Sequence, residues 1–315
     1  MTESFTLLDA GYAAARWGWY LTVFLVLGAS SYAPFLLRAR TGLAVTHPEL
    51  AAGLARRSAR IGLRASVFLA GFVVIRLYLQ SRTLLEPGEP VSADFLKAVV
   101  GTGWGQGWLR QAAMALLALL GFAAATRASR FGWMVAVAAS GGLGLVAGMT
   151  GHAATERGGE FGVLLNAAHV WAGGFWLGGL AVLLLAGLAA CRGLSAEERP
   201  GMVRTLVADF SRRALVFGPL AIGLGVWLAI RYLGWRWPLE LFDSRYGTVL
   251  AVKLIALAGV AAIGTYNWRV VQPSLTHPVG ETRLRKSSIR ELVLGVLLLA
   301  ATAVLVALPL PGDEM

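Results

Sequence analysis

The amino-acid sequence predicts an all-α fold, a bundle of eight transmembrane helices. Hydrophobic residues make up 57% of the 315-residue chain and charged residues only 14%, a composition typical of membrane proteins. The chain contains eight apolar stretches of about 20 residues, the length needed to cross a bilayer. Its eleven tryptophans fit the aromatic belts that form at membrane–water interfaces. We therefore expect a multi-pass integral membrane protein.

The apolar stretches define the predicted spans in chain order. They cover residues 16–37, 61–81, 107–126, 131–150, 163–191, 213–233, 247–271 and 289–310. Residues 48–60 and 196–212 are basic and partly amphipathic, which favours short cytoplasmic helices before the second and sixth spans, although a solvated linker is an equal alternative. A Gly-rich stretch that ends at Gly107 predicts an outer loop element over residues 82–106.

The positive charges predict how the bundle is oriented. Most of the 28 Lys and Arg residues fall in four groups, at residues 38–64, 127–130, 192–213 and 269–290. These groups follow alternate spans, as expected when cytoplasmic loops are enriched in positive charge. Cytoplasmic loops are therefore predicted at residues 38–60, 192–212 and 272–288, and both termini on the periplasmic side of a bacterial inner membrane. Topology then explains the net charge of +11, and no nucleic-acid partner is expected.

Similar residue patterns in the two halves suggest an internal duplication within one transmembrane domain, residues 1–315. Arg64-Ala-Ser-Val-Phe68 in the second span resembles Arg213-Ala-Leu-Val-Phe217 in the sixth. Because four spans return the chain to the same side, repeats over residues 1–150 and 151–315 would share one orientation. The N-terminus has no basic region before an apolar core, so no cleavable signal peptide is expected.

Two of the four histidines, His152 and His169, flank the loop between the fourth and fifth spans. His169 lies inside a span, where an ionisable group is costly unless it is paired, ligated or facing a cavity. Asn166, one turn earlier, could orient its ring. Met149 would share a helix face with His152 if the helix continues that far. Thioether sulfur favours Cu(I), whereas imidazole accepts either copper oxidation state, zinc or haem iron.

Simpler structural roles compete with this metal site. His152 could be a surface histidine, and His169 a core histidine with protein partners. Trp171 and Trp176 could form walls of a metal site or simply pack the fifth span. Four cations predicted near the outer boundary could extend to lipid headgroups or form a rim that suits an anion, a quinone or haem propionates; these are Arg76, Arg110, Arg231 and Lys253.

Several motifs resemble the copper resistance protein D (CopD) family. They are Gly151-His152-Ala-Ala, His169-Val-Trp-Ala-Gly-Gly-Phe-Trp-Leu-Gly-Gly-Leu180, Tyr246-Gly-Thr-Val-Leu-Ala-Val-Lys253, Gly264-Thr-Tyr-Asn267 and Arg285-Lys-Ser-Ser-Ile-Arg-Glu291-Leu. The resemblance implies an eight-helix inner-membrane protein of copper handling. It also implies movement of copper from periplasm to cytoplasm with a periplasmic partner of the CopC type.

These observations favour a non-enzymatic protein of copper uptake and homeostasis or resistance. His152 and His169 would form its periplasmic copper site, with Met149 as a third ligand. One alternative is an electron-transfer protein in which the two histidines hold one haem b between the fourth and fifth spans. A second is a membrane assembly scaffold whose histidines only hold helices together. The residues alone leave copper and haem nearly level, and the family resemblance favours copper.

Overall fold

The computed structural model describes residues 7–32, 43–86, 88–150, 159–235, 238, 241–242, 244–276 and 278–308. Within those ranges every regular element is helical, which confirms the predicted fold class. Seven helices are long and apolar enough to cross a membrane. The 24-residue helix α1 (Leu7–Ser30) is a further long helix at the centre of the bundle.

The first half of the described chain contains six helices. They are α1, a short α2 (Leu43–Thr46), α3 (Pro48–Thr83), α4 (Ala93–Gly101), α5 (Gly103–Ala125) and α6 (Arg130–Ala147), followed by a 3-10 turn over Gly148–Thr150. The hydroxyl groups of Ser92, Thr102 and Ser129 cap the starts of α4, α5 and α6 by accepting a hydrogen bond from the backbone N–H three residues later.

The second half contains four long helices. Helix α7 begins with Gly159–Gly173, includes π-helical turns over Gly174–Gly178 and Leu183–Gly187, and ends in a 3-10 turn over Cys191–Gly193. Helix α8 is Glu198–Leu233. Helix α9 is Arg245–Tyr266 and continues through a π-helical turn, Asn267–Val271, and a 3-10 turn, Gln272–Thr276. Helix α10 is Pro278–Leu305.

Several helices extend beyond the predicted spans. Helices α3 and α8 each contain 36 residues, so the basic stretches before the second and sixth spans are continuous with those spans and are not separate helices or linkers. Helix α10 likewise begins inside the predicted loop 272–288. Charged side chains on these extensions do not oppose helix formation, because they lie on turns that are exposed beyond the apolar segment.

Helices α1 and α7 approach each other closely. Helix α1 packs against α3, α6, α7 and α10. At its contact with α7, a Cβ atom added to Gly178 would lie 1.9 Å from the Phe24 carbonyl oxygen, and one added to Gly28 would lie 2.2 Å from the Gly178 backbone. The glycines of α7 therefore allow two backbones to touch, a common packing mode of membrane helices.

The two ends of the bundle carry different side chains. We call the end that holds Arg56, Arg130, Arg199 and Arg285, at the starts of α3, α6, α8 and α10, the basic end. An ion pair of 2.6 Å between Arg199 and Glu281 joins α8 to α10 there. We call the opposite end, where Met149 and His169 lie, the histidine end.

Candidate metal site and a second polar cluster

The His169 ring is held by a neighbouring helix. Its Nδ1 atom lies 2.9 Å from the backbone carbonyl oxygen of Ala221 on α8. A carbonyl oxygen can only accept, so Nδ1 donates the hydrogen and the lone pair of the neutral ring lies on Nε2. Metal-binding histidines commonly have this arrangement, in which one ring nitrogen donates to a carbonyl group and the other binds the metal.

Helix α8 also provides the space for the ring. Gly225 lies one turn after Ala221, and a Cβ atom there would be only 3.1 Å from His169 Cε1. Lys253 on α9 is close enough for its charge to act on the imidazole. The partly buried ring of α7 therefore packs against α8.

Met149 lies in the 3-10 turn that follows α6. Its Sδ atom accepts a hydrogen bond of 3.7 Å from Arg110 on α5, and the turn packs against the first segment of α7. Helix α6 ends at Ala147, so the predicted α-helical face shared by Met149 and His152 does not continue. His152 itself lies outside the described residues.

The supporting residues of the prediction lie in separate places. Asn166 is partly buried on α7, but the partner of His169 Nδ1 is Ala221. Trp171 donates a hydrogen bond of 2.9 Å to the Gly141 carbonyl oxygen, which joins α7 to α6. Trp176 is buried nearer the basic end. The two tryptophans therefore pack different parts of α7.

The four predicted outer cations have different environments. Arg76 is only 2% exposed; its Nη1 donates to Gln111 Oε1 at 2.7 Å, and its guanidinium lies 5.3 Å from the Trp19 ring centroid. It therefore does not extend to lipid headgroups, because polar and aromatic partners are available inside the bundle. Arg231 is exposed and lies 5.7 Å from the Phe161 ring centroid. Lys253 is partly buried near His169.

Protein ligands for a metal are few in this part of the molecule. Among the described residues, no three His, Cys, Asp or Glu side chains form a group that could hold a metal ion. His169 supplies an imidazole and Met149 a thioether at the histidine end. A complete site therefore needs a further ligand, for which His152 is the candidate from the sequence.

A second polar cluster near the basic end was not predicted from the sequence. Asn267 Nδ2 donates to Glu291 Oε2 at 2.9 Å, and Ser287 Oγ donates to Asn267 Oδ1. Glu291 is only 2% exposed, and its Oε1 occupies space beside Gly264 that a Cβ atom would enter. The four-residue spacing of Ser287 and Glu291, one helical turn, was a usable signal, but it did not identify the partner on α9.

Two family models match the chain and together cover most of it. Residues 7–163 match the model described as copper resistance protein D-like, N-terminal domain. Residues 204–305 match the model described as copper resistance protein D. The matched segments include α1 to α6 and most of α8 to α10.

A curated relative shows the same similarity. The chain is 26% identical over 276 residues to the copper transport protein CutJ of Bacillus subtilis (strain 168), in an alignment that covers 82% of this chain and 47% of the relative. The chain thus spans about half the length of that relative. No solved structure matches the chain.

Proposed function

The chain belongs to the copper resistance protein D family, and we propose that this multi-pass membrane protein binds copper and carries it across a bacterial inner membrane in copper homeostasis or resistance. The resemblance to a copper transport protein supports this role. So does the placement of an imidazole and a thioether at one end of the bundle, because nitrogen and soft sulfur are ligands that copper accepts.

The hydrogen bond between His169 and Ala221 carries the proposal for the site. It fixes the tautomer with a lone pair on Nε2 and holds the ring of α7 against α8. We propose that His169 is one copper ligand, that His152 is the second and that Met149 becomes the third when its sulfur leaves Arg110. The soft sulfur would favour Cu(I) over Cu(II).

The proposed orientation of the bundle rests on its charge distribution. We propose that the basic end faces the cytoplasm, because cytoplasmic ends of membrane helices are enriched in Lys and Arg. The histidine end and both termini would then face the periplasm. Copper would reach His152 and His169 from that side, delivered by a soluble periplasmic copper protein of the CopC type.

Copper affinity of the purified full chain tests the proposed site. Cu(I) binding is measured by competition with a chromophoric chelator for the wild type and for His169→Ala. The matched control is His47→Ala, since His47 lies before α3 near the basic end and contacts Thr46. We expect His169→Ala to lose high-affinity binding and His47→Ala to keep it. Retention of full affinity by His169→Ala would remove this residue from the site.

Metal content distinguishes copper from haem. Protein from cells grown with copper and iron is analysed by elemental mass spectrometry and by visible absorption. Copper that is lost in His169→Ala supports the proposal. Near-stoichiometric iron with a haem spectrum would replace it by electron transfer, because two axial histidines also suit haem b.

A further inference from the structure

A cavity of about 250 Å³ lies among α7, α8, α9 and α10. It extends from the middle of the bundle toward the basic end. Most of its wall is apolar, including Trp176 on α7 and Phe210 on α8. The polar side chains that line it are Ser211, Thr265, Asn267, Arg269, Ser288 and Glu291. The cavity is large enough for several water molecules, since one water needs only about 10–15 Å³ of such volume and a few polar partners.

Glu291 is a buried acid within a transmembrane helix. Its carboxyl group accepts a hydrogen bond from Asn267. Glu291 takes part in none of the ion pairs in the described part of the chain. A carboxylate in this setting is costly, and ionisable groups inside membranes usually mark a functional site.

Ser288 provides an independent observation at the same place. Its side chain is 1% exposed, and its Oγ atom has no hydrogen-bond partner among the described atoms. Ser288 lies three residues before Glu291, which puts both side chains on the same face of α10. An unpaired buried hydroxyl is unfavourable. The position of Ser288 in the cavity wall therefore indicates that water or another ligand in the cavity forms a hydrogen bond with this hydroxyl.

Other charged groups near the cavity do not neutralise Glu291. Arg269 of α9 is the second charged residue of the lining, but its side chain is exposed and lies 5.5 Å from the Trp268 ring centroid. The lining residues of α7 and α8 are uncharged. Asp209 and Arg213 of α8 pair with each other. Among the described residues, the carboxyl group therefore faces the cavity without an ion-pair partner.

The oxygen atoms of Asn267, Ser288 and Glu291 indicate which kind of ligand this cluster can bind. Hard metal cations such as Ca²⁺ take about six to eight oxygen ligands, and the Asn267 oxygen already accepts a hydrogen bond from Ser287. Copper prefers nitrogen and sulfur, which this cluster does not offer. A proton needs only one carboxyl oxygen. We propose that Glu291 is a proton-exchange site that opens through the cavity to water at the basic end.

The exchange needs no further reactant. Hydronium in the cavity gives its proton to a Glu291 oxygen, which forms the O–H bond and leaves water. Release to a cavity water reverses the step. This site is independent of copper binding at His169 and goes beyond the proposed function, so either proposal can fail without the other.

Infrared difference spectroscopy of the full-length protein in liposomes tests the site. Spectra at acidic and alkaline pH are compared for the wild type, Glu291→Gln and Glu281→Gln. The glutamine at 291 still accepts from Asn267, while Glu281 is a more exposed acid at the start of the same helix. We expect a protonated-carboxyl band that disappears at alkaline pH, shifts in D₂O and is absent only in Glu291→Gln. A difference spectrum of Glu291→Gln equal to the wild type would overturn the proposal.

A cavity-filling variant keeps the test valid if Glu291→Gln does not fold. Ala214 of α8 lines the cavity, and the hydrogen bond to the Glu291 carboxyl group comes from Asn267 instead. Ala214→Phe therefore fills part of the cavity and leaves Glu291 unchanged. We expect the D₂O shift of the carboxyl band to slow several-fold. An unchanged exchange rate would contradict access through this cavity and overturn the proposed route.

Discussion

The histidine end and the basic end each place an ionisable side chain inside the membrane, but they satisfy it differently. At the histidine end, a backbone carbonyl group of α8 fixes the His169 ring. At the basic end, Asn267 holds one oxygen of Glu291, and the carboxyl group lines a cavity. The first arrangement presents a single nitrogen lone pair in a defined direction, whereas the second places a hard oxygen atom at the wall of a cavity.

Under the two proposals, the bundle separates metal chemistry from proton chemistry by depth. His169 and Trp176, which lines the cavity, are both on α7 and are separated by two turns, about 10 Å along the helix. Soft and nitrogen ligands are near one end and oxygen ligands near the other. The two regions therefore share a helix but differ in the ligands that they can bind.

We expect the strongest effect from overpacking the contact between α1 and α7, the helix that both regions share. Gly178→Leu would place side-chain atoms where the Phe24 carbonyl oxygen of α1 now lies. We expect a loss of about 3 kcal/mol or more of stability, at or above the usual cost of overpacking, and loss of function at both ends. Thermal unfolding in detergent measures it. Gly223→Leu is the control, because space is open around Gly223; equal destabilisation would contradict the close approach.

The fold was largely predictable, since hydrophobic length and charge asymmetry act along the sequence. The motif around His169 likewise located a candidate ligand. The partner of its ring was not predictable, because Ala221 acts through its backbone and any residue there has a carbonyl group. The parallel repeat stays a prediction.

Glu291 shows a different limit of sequence reasoning. It follows Arg290 at the start of the predicted span 289–310, and the sequence does not show whether its side chain is buried. The structure buries it because α10 turns this face toward Asn267 of α9. Such burial depends on contacts between segments that are distant in the sequence, and a single sequence does not reveal these contacts.

The second prediction separates the two regions by mutation. His169→Ala should weaken Cu(I) binding more than about a hundredfold. Losing a group that only orients a metal-bound histidine already costs up to about a hundredfold, and losing the ligand itself should cost more. Glu291→Gln should change Cu(I) affinity less than about twofold, because oxygen ligands contribute little to binding a soft ion. Chelator competition measures both. A large loss of affinity in Glu291→Gln would show that the regions form one site.

A smaller effect is expected where α8 makes room for the imidazole. A Cβ atom at Gly225 would lie 3.1 Å from the His169 ring, so Gly225→Val should displace the ring from the Ala221 carbonyl group. We expect Cu(I) affinity to fall about tenfold, the lower end of the effect of disturbing a ligand's hydrogen bond. Gly223→Val, on the same helix, serves as control. If both variants bind copper normally, the orientation of the ring does not matter for binding.

The smallest effect distinguishes two adjacent serines of the basic end. Ser287 donates to Asn267, and Ser287→Ala should lower stability by about 0.6 kcal/mol, the average for a side-chain hydrogen bond between membrane helices. Ser288 Oγ has no protein partner among the described residues, so Ser288→Ala should leave thermal stability unchanged in detergent. If cavity water is bound by that hydroxyl, the D₂O exchange of the Glu291 carboxyl should nevertheless slow in Ser288→Ala and not in Ser287→Ala. The reverse pattern would place the proton path on the Asn267 side of the carboxyl group.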